Sequence, residues 1–436
     1  MSNKIGRDSF RVVGKDDDGI SVIPDDSARK RNDENKRRFA RGIKKLSNNN
    51  KNGARLSTFA YILIIIVIFL TVFIVADVSS GGELYTVKGK FVSFLSGGVS
   101  SEETVALDAD TVFDFKSYRN GYIILTDNGI SYVNSNGKVS SSQQVTYSSP
   151  AVEVDDYRVM IFDRSNTSYL LMRNETLYSQ QKTDSRIVDA AVSSNDNYAI
   201  VVTDSDAKSV LYGMDGRGKV IYQWNCPQGY ISDVAITESG NKVAATVVNS
   251  VNAVLCATVY ILDFEYDSEY AVFEYADETV LGTKFLSSRQ LQVVTDKAVY
   301  KITAKEQEKV YEFSTSDICY SDFSDSFTAV IINDYSSDDL YHLVVFGNNG
   351  KLKFTVPVEG KVRSLSVSDK GISVLFADKI ETYSKRGKLV GYVNGINHYD
   401  DIVLNGNYLY VLSSDSVKRF PAYGNSDMIQ IEEETQ

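Results

Sequence analysis

An internal repeat constrains the fold of this 436-residue chain more than any other feature. Eight β-rich runs recur beyond Gly82, at spacings of 36 to 47 residues between their ends. Self-similarity at a period of about 20 to 50 residues is typical of repeat architectures. Each run closes on an acidic or amide residue, and these closing residues are Asp127, Asp163, Asp204, Asn249, Asp296, Asp334, Asp378 and Asp415.

Each repeat contains four predicted strands. A weaker alternating stretch such as ISDVAIT precedes the apolar run, and two further β-rich stretches such as SVLYGM and KVIYQW follow it. Four antiparallel strands about every 40 residues form the blade of a β-propeller, so we predict an all-β propeller fold. Glycine supplies the positive φ that tight hairpins need. The last turn of the repeat often carries Gly-Lys, at Gly137, Gly218, Gly350 and Gly387.

Closure of the ring decides the number of blades. The eighth repeat, residues 396–423, offers only three strands, and an open ring would leave exposed sheet edges. We predict that Glu83–Phe94 supplies the missing strand, which gives an eight-bladed propeller over residues 83–423. A seven-bladed ring is the alternative, and it leaves roughly one repeat of about 40 residues to place elsewhere. Residues 424–436 are predicted to form an acidic C-terminal tail.

A single apolar segment precedes the repeats. The 19 residues from Thr58 to Ala76 contain no charge, glycine or proline, and as a helix they would cross about 30 Å of hydrocarbon. We predict a transmembrane α-helix over residues 58–78. A buried core helix rarely stays apolar on every face. A cleaved signal peptide has a shorter apolar region and a much shorter segment before it.

Charge differs between the two sides of this segment. Residues 1–57 contain 15 Lys and Arg against 8 Asp and Glu, whereas the remaining 31 basic and 49 acidic residues give a net charge of −18. The positive-inside rule then predicts a cytosolic N-terminus and an extracytoplasmic repeat domain. Residues 1–57 are polar and are predicted to be a disordered basic cytosolic tail. Nucleic-acid binding by Lys36–Lys45 is the alternative to a flank that faces anionic lipid, and the lipid-facing flank is favoured.

Composition excludes several kinds of function. The net charge of −11 argues against a general nucleic-acid binder. Three cysteines form no disulfide framework and no paired zinc-ligand cluster, and two histidines leave little material for an imidazole-based site. We predict buried thiols at Cys226, Cys256 and Cys319 rather than a disulfide. The sequence thus indicates no catalytic residue, no cofactor and no metal ligand.

Two motifs match ligand-binding loops only in part. Gly213–Lys219 fits the pattern GxxxxGK, but Val220 stands where Ser or Thr would hold magnesium, and a strand follows instead of a helix. Asp204-Ser-Asp206 resembles the start of an EF-hand loop but lacks its glycine and its final glutamate. The acidic residues that close the repeats are predicted to accept hydrogen bonds from turn amides and so to be structural.

Histidine and paired acids supply the remaining catalytic candidates. His342 or His398 could form a relay with Asp400 or Asp401, but no GxSxG nucleophile elbow accompanies them. The adjacent acids Asp338-Asp339 and Asp400-Asp401 could act in glycoside hydrolysis, yet neighbouring strand residues face opposite ways. A histidine hydrogen-bonded within a sheet and solvated loop acids are therefore the favoured interpretations.

With these features the chain resembles the quinoprotein-like and WD-repeat-like propellers. In its full layout, from Thr58 to Tyr423, it resembles an uncharacterised family of single-pass, propeller-bearing envelope proteins of Gram-positive bacteria. No blade shows the GH…WD signature, and the single Trp224 cannot supply the repeated Trp of quinoprotein blades, which argues against a bound quinone. The resemblance implies topology and placement and transfers no catalytic residue.

We therefore expect a membrane-anchored, extracytoplasmic propeller that is not an enzyme. It would act as a protein-interaction or ligand-binding platform in the cell envelope, with an envelope protein as partner. One alternative is a hydrolase or lyase of cell-wall glycan, with carboxylates from several blades meeting at the channel. Another is a sensor that binds a small molecule or a cation in the channel. Fold alone does not choose among them.

Overall fold

The computed structural model describes residues 104–427 apart from 206–207, 252–253, 315–317 and 335–338. Over this part of the chain the regular elements are all β-strands. Within it, no helix has the length and apolar character needed to span a membrane. The predictions for residues 1–57, for residues 58–78 and for the end of the acidic tail, residues 428–436, lie outside the described residues.

The strands follow one another with short connections. In chain order they are β1 (Thr104–Ala106), β2 (Val112–Tyr118), β3 (Gly121–Thr126), β4 (Gly129–Val133), β5 (Val139–Gln144), β6 (Pro150–Asp155), β7 (Arg158–Asp163), β8 (Ser168–Arg173), β9 (Thr176–Lys182), β10 (Ile187–Val192), β11 (Tyr198–Asp204), β12 (Lys208–Met214), β13 (Val220–Asn225), β14 (Tyr230–Ile236), β15 (Lys242–Val251), β16 (Val254–Asp263), β17 (Ala271–Ala276), β18 (Val280–Ser287), β19 (Gln290–Thr295), β20 (Ala298–Thr303), β21 (Glu306–Glu312), β22 (Ile318–Phe323), β23 (Phe327–Asn333), β24 (Leu340–Gly347), β25 (Leu352–Glu359), β26 (Val362–Ser368), β27 (Gly371–Phe376), β28 (Lys379–Ser384), β29 (Leu389–Asn394), β30 (Tyr399–Asn405), β31 (Tyr408–Ser413), β32 (Ser416–Pro421) and β33 (Gly424–Asp427).

These strands form eight sheets, which are the blades of a propeller. Blades 1 to 7 each begin with four consecutive antiparallel strands. We name these strands A, B, C and D in chain order, with strand A at the channel and strand D at the rim. Blade 1 is therefore β2–β5, and blade 7 begins at β26. Blade 8 consists of β30, β31, β32 and β1. The A strands of successive blades contact one another, and β30 contacts β2, so the ring is closed. The eight-bladed prediction is confirmed and the seven-bladed alternative is excluded.

The core lies between neighbouring blades. Eight buried clusters each draw apolar residues from two adjacent blades, one cluster at each junction. At the junction that closes the ring, Tyr122 of blade 1 packs on Tyr410 of blade 8 with ring centroids 4.9 Å apart. Because each blade is covered on both faces, its B and C strands read as nearly continuous apolar runs, as in β7 and β27. Edge strands such as β9 alternate instead.

The strand that closes the ring differs from the predicted one. Thr104–Ala106 pairs antiparallel with β32, Thr104 opposite Lys418 and Ala106 opposite Ser416, and completes blade 8. The prediction that Glu83–Phe94 supplies this strand was wrong, and that segment lies outside the described residues. A three-residue strand shows too few alternations for a period of two to be read from the sequence.

A second strand from the chain end was not predicted. Gly424–Asp427, at the start of the segment predicted as an acidic tail, pairs parallel with β29 and gives blade 7 a fifth strand. The chain passes so close to Gly391 that a Cβ atom there would lie 2.0 Å from the carbonyl oxygen of Ala422. A strand held by backbone pairing needs no apolar side chains, which is why this polar segment gave no signal.

The Gly-Lys turns form the predicted tight hairpins between strands C and D. All four glycines have positive φ: Gly137 (68°), Gly218 (82°), Gly350 (70°) and Gly387 (78°). Each donates its N–H to the carbonyl oxygen three residues earlier, as from Gly218 to Asp215 at 2.9 Å. The prediction for these turns is confirmed.

Candidate functional site

The A strands surround a cavity of about 930 Å³. It lies at the ends of these strands, next to the turns that lead from strand A to strand B, and blades 3 and 4 do not line it. Eight carboxylates and four basic side chains line it: Asp114, Glu153, Asp155, Asp156, Asp322, Asp325, Asp369 and Asp401, with Lys116, Arg119, Lys284 and Lys370. The channel is therefore polar, with an excess of acidic groups.

A β-bulge recurs near the start of the A strands. The pairing of strand A with strand B shifts register there in every blade except blade 2. Bulges re-aim side chains at strand edges. In four blades the residue after the shift is aspartate, and these residues are Asp114, Asp189, Asp233 and Asp401.

Two of these aspartates connect blades 3, 4 and 5. Asp189 Oδ2 accepts a hydrogen bond from the backbone N–H of Val234 in blade 4 at 3.2 Å. Asp233 Oδ2 accepts one from the hydroxyl of Thr283 in blade 5 at 3.0 Å. Burial, with a smaller contribution from the nearby Asp233, raises the pKa of Asp189 to about 7, although Arg164 lies 3.3 Å from its carboxylate. Burial likewise raises the pKa of Asp233 to about 6.

Two more carboxylates connect blades 6, 7 and 8. Asp322 Oδ2 accepts the backbone N–H of Val367 in blade 7 at 2.6 Å. Asp401 Oδ1 accepts the hydroxyl of Ser364, also in blade 7, at 2.5 Å. Burial raises the pKa of Asp322 to about 7 and also raises the pKa of Asp401. Protonation of Asp322 would therefore occur near neutral pH, far above the ordinary range of aspartate.

Blades 1, 2 and 3 are connected in the same manner. Lys116 donates from Nζ to the carbonyl oxygen of Val152 at 2.6 Å and to Glu153 Oε1 at 3.2 Å. Asp155 Oδ2 accepts the backbone N–H of Ser194 at 2.5 Å. Burial lowers the pKa of Lys116, but the nearby acidic groups more than offset it, so the pKa is raised. Polar contacts between A strands thus hold successive blades in register.

The channel carboxylates have partners that suit a structural role. Acids from several blades do line one cavity, as a glycan hydrolase would require. The carboxylates of Asp322 and Asp401, however, accept donors from the neighbouring blade. Over the residues that the structure describes, no three His, Cys, Asp or Glu side chains are grouped so as to hold a metal ion.

The catalytic candidates of the sequence do not form a relay around His342. Its Nε2 lies 2.8 Å from Oδ2 of Asp334, which directly follows the neighbouring strand β23, so this partner is neither Asp400 nor Asp401. His398 has positive φ in the connection between blades 7 and 8. Asp400 lies 3.6 Å from Arg363. Of the pair Asp338-Asp339, the first residue lies outside the described residues.

The segment Gly213–Lys219 is a hairpin turn. Strand β12 ends at Met214 and β13 begins at Val220, with no helix between them. Asp215 Oδ1 accepts the N–H groups of Arg217 and Lys219, both at 2.9 Å. The prediction that a strand rather than a helix follows this turn is confirmed.

Acidic residues at the repeat ends do stabilise turns. Asp163 is buried and accepts the N–H groups of Ser148, Ser149 and Ser165, each at 3.1 Å. Burial raises the pKa of this carboxyl, but these donors together lower it below its ordinary value. Asp296 accepts the N–H of Thr279 at 2.8 Å. The predicted structural role is confirmed for these residues.

The three cysteines are free thiols, as predicted, but only one is buried. Cys226 is buried and donates from Sγ to the carbonyl oxygen of Gln228 at 3.2 Å. Cys256 is half-buried and Cys319 is exposed. The prediction of burial was wrong for Cys319, because this residue lies at the register shift of β22 between Ile318 and Tyr320.

The second candidate surface is the face of the ring that carries the turns from strand B to strand C, here called the B–C face. Blade 4 departs from the other blades there: its strands β15 and β16 have 10 residues each. The predicted turn at Asn249 lies inside β15, which ends at Val251. Next to this turn Val254 and Leu255 are 43% and 48% exposed, and Tyr230 at the start of β14 is 59% exposed.

Comparison with protein families gives one match. The model of DUF5711, described as a family of unknown function, matches residues 97–426. The chain belongs to the DUF5711 family. The match covers all eight blades of this DUF5711 protein apart from the last residue of β33. A comparison with curated proteins gives no match.

Solved structures share the fold of the DUF5711 protein. The C-terminal WD40 domain of Sif2 aligns with a TM-score of 0.51 and 12% identity, over 73% of this chain and 99% of that chain. A eukaryotic initiation factor aligns with 0.51 and 12%, over 77% and 91%. Sqt1 of Chaetomium thermophilum, bound to the N-terminus of ribosomal protein L10, aligns with 0.50 and 10%, over 74% and 100%. These likenesses show the propeller fold alone.

Proposed function

We propose that this protein is a non-enzymatic platform that binds another protein on its B–C face. The observation that carries the proposal is the group of three large exposed apolar side chains on one blade of that face. Tyr230, Val254 and Leu255 lie on blade 4, and Phe113 and Leu281 lie at the register shifts of β2 and β18. Large exposed apolar groups near one another mark interaction sites more often than single ones do.

Exposed apolar residues elsewhere are distributed differently. Five of them lie one to a blade on the outermost strands β5, β9, β17, β25 and β29: Val139, Tyr178, Val272, Leu352 and Leu389. Such single residues are normal on protein surfaces. Val220 and Ile221 are neighbours on the outermost strand β13 of blade 3, and Tyr266 lies in the C–D turn of blade 4. The connected A strands also support the proposal, because a rigid ring presents its loops without losing conformational entropy on binding. Sqt1 combines this fold with a bound peptide, which is compatible with the same use here.

We further propose that residues 58–78 anchor the protein in a membrane, with the N-terminus cytosolic and the propeller in the cell envelope. The uncharged 19-residue segment and the basic residues before it support this placement. Protease added to intact cells stripped of their wall should digest exposed sites of the propeller and spare the first 57 residues. Protection of the propeller and digestion of the tail would contradict this orientation.

A second candidate function is the binding of a small polar ligand in the channel. The cavity of about 930 Å³ and its charged lining favour it. A channel ligand would raise the melting temperature of the full-length protein, and Asp401→Asn would alter that increase. Two results together would favour ligand binding over the platform. A channel ligand would stabilise the protein, and variants of the B–C face would still bind every partner normally.

Proximity labelling of the full-length protein in its native membrane tests the platform directly. Leu255→Asp should remove the labelling of one specific protein, because it places a charge in an apolar contact. Leu352→Asp is the matched control, since Leu352 is 45% exposed on the rim of blade 6. Equal loss in both variants, or no protein labelled above background, would refute the platform.

A further inference from the structure

A buried arginine lies at the junction of blades 2 and 3. Arg158 is the first residue of β7, and its side chain is 7% exposed. Its Nε and Nη1 atoms have no hydrogen-bond partner among the residues that the structure describes. A guanidinium group carries five N–H donors, accepts no hydrogen bond and stays protonated in proteins. Buried donors on a charged group are costly to leave unpaired, so we expect an acceptor beside them that these residues do not supply.

The charge of Arg158 is balanced only in part. Its Nη2 atom pairs with Oδ1 of Asp196, in the turn between β10 and β11 of blade 3. The same oxygen also pairs with Nη2 of Arg173. Two guanidinium groups therefore share one carboxylate, and all three charges act on the hydroxyl of Tyr178 beside them. This group of three side chains carries a net positive charge.

Other acidic side chains close to Arg158 in the chain or the fold are directed elsewhere. Asp155 stands opposite Arg158 in the pairing of β6 with β7. Its carboxylate, however, lines the channel and accepts the N–H of Ser194 at 2.5 Å, and Lys284 is the cation that acts on it. The remaining acids of the adjoining turns are Asp156, which is exposed and lines the channel, Glu175, which pairs with Arg119, and Asp215, which accepts N–H groups of its own turn.

A small cavity lies beside Arg158. Its volume is about 10 Å³, and Tyr178, Asp196 and Tyr198 line it together with Arg158. A volume of this order holds about one water molecule or one ion of similar size, and it is too small for phosphate or sulfate. The ring of Tyr157 covers one face of the guanidinium, with Cζ 4.8 Å from the ring centre. This contact favours the charge but gives the N–H groups no anionic acceptor.

We propose that the junction of blades 2 and 3 binds a single-atom anion such as chloride at the Arg158 guanidinium. A water molecule accepts hydrogen bonds from the unpaired N–H groups but leaves the net positive charge unbalanced, whereas an anion satisfies both. The bound anion joins blade 2 to the turn of blade 3 that carries Asp196, and so stabilises the ring. This site lies at the turns from strand A to strand B, so it is separate from the platform on the B–C face.

Melting of the purified full-length protein in two sodium salts tests the proposal. At constant sodium concentration, replacing gluconate with chloride should raise the melting temperature saturably, by about 3 °C at ten times the dissociation constant. Arg158→Gln should lose this increase. Arg363→Gln is the matched control and should keep it, because Arg363 lies 3.6 Å from Asp400 in a more exposed ion pair. Equal increases in wild type and Arg158→Gln would show a general effect of salt and overturn the site.

Chlorine NMR of the same samples measures binding to the folded protein. The wild type should broaden the chloride resonance, bromide should reverse the broadening by competition, and sulfate at equal ionic strength should not, because sulfate exceeds the cavity. Arg158→Lys keeps the charge but lacks Nη1, so it should broaden the resonance much less, and it replaces Arg158→Gln if that variant does not fold. Competition by sulfate, or equal broadening by Arg158→Lys, would place chloride on exposed basic side chains and overturn the proposal.

Discussion

The buried carboxyl of Asp189 makes stability depend on pH in an unusual direction. Its side chain connects blade 3 to blade 4, the residue is 8% exposed, and burial raises its pKa to about 7. In the unfolded chain an aspartate has a pKa of about 3.9. Between pH 5 and pH 7 the folded protein therefore holds a proton that the unfolded chain has lost. Stability contributed by this group falls as the pH rises through that range.

The magnitude follows from the two pKa values. Each pH unit in this range changes the free energy of unfolding by about 1.4 kcal/mol, so raising the pH from 5 to 7 removes about 3 kcal/mol. Asp189→Asn removes the titration and keeps an oxygen that can accept the N–H of Val234. The variant also loses the ion pair with Arg164, whose side chain is 52% exposed, and a pair of this kind contributes about 1 kcal/mol or less.

Guanidinium unfolding of the full-length protein at pH 5, 6, 7 and 8 measures this effect. The single Trp224 is buried in the cluster between blades 3 and 4, so its fluorescence reports on the same junction. Relative to wild type, Asp189→Asn should gain about 3 kcal/mol between pH 5 and pH 8. Asp127→Asn, at an exposed turn, is the control and should show no such gain. Parallel pH curves for wild type and Asp189→Asn would refute the assignment of a buried, proton-binding carboxyl.

Other contacts give further expectations. Tyr275→Phe should raise the free energy of unfolding by about 1 kcal/mol, because its buried hydroxyl has no hydrogen-bond partner among the residues that the structure describes. Tyr198→Phe should lower it by about 1 kcal/mol, because that hydroxyl lies 3.2 Å from the hydroxyl of Tyr169, and chemical unfolding of both variants checks this. Asp163→Ala should cost about 2 kcal/mol at neutral pH, since it removes a buried carboxylate that accepts three backbone N–H groups. Because the folded pKa is lowered, this cost should shrink as the pH falls through that pKa, and unfolding curves at neutral and acidic pH check it. Gly391→Ala should displace Gly424–Asp427 and speed hydrogen exchange there without unfolding the ring.

The repeat could be predicted because its signal is redundant. A propeller blade needs apolar residues on both faces of strands B and C, so eight runs of this kind appear at nearly equal spacing. The Gly-Lys turns were readable because only a residue that tolerates positive φ fits them, as at Gly137 and Gly387. Closure into eight blades followed from counting strands.

The closing strands could not be predicted. Thr104–Ala106 and Gly424–Asp427 are short and join the ring by backbone pairing, which leaves no pattern of apolar residues. The carboxylates of the A strands that connect neighbouring blades were also missed as a set. Asp114, Asp189 and Asp233 stand in the weaker strand of their repeats, and an acid recurring inside an otherwise apolar alternation was the available signal.

The long hairpin of blade 4 was misplaced for a related reason. Its sequence was aligned to the other repeats at Asn249, but the strand continues to Val251. The end of this strand could not be read from the sequence, because the run across the turn is uncharged and lacks the acidic residue that ends the corresponding strand in the other repeats. This departure from the repeat supports the proposed platform on the B–C face.

The central claim is that the B–C face binds a protein. We would place photocrosslinkers one at a time in B–C turns around the ring and in C–D turns on the opposite face, in the full-length protein in its native membrane. Adducts with one protein should arise from blade 4 and its neighbours on the B–C face, and none from the C–D turns. Equal adduct formation on both faces, or adducts only from the C–D turns, would contradict the claim.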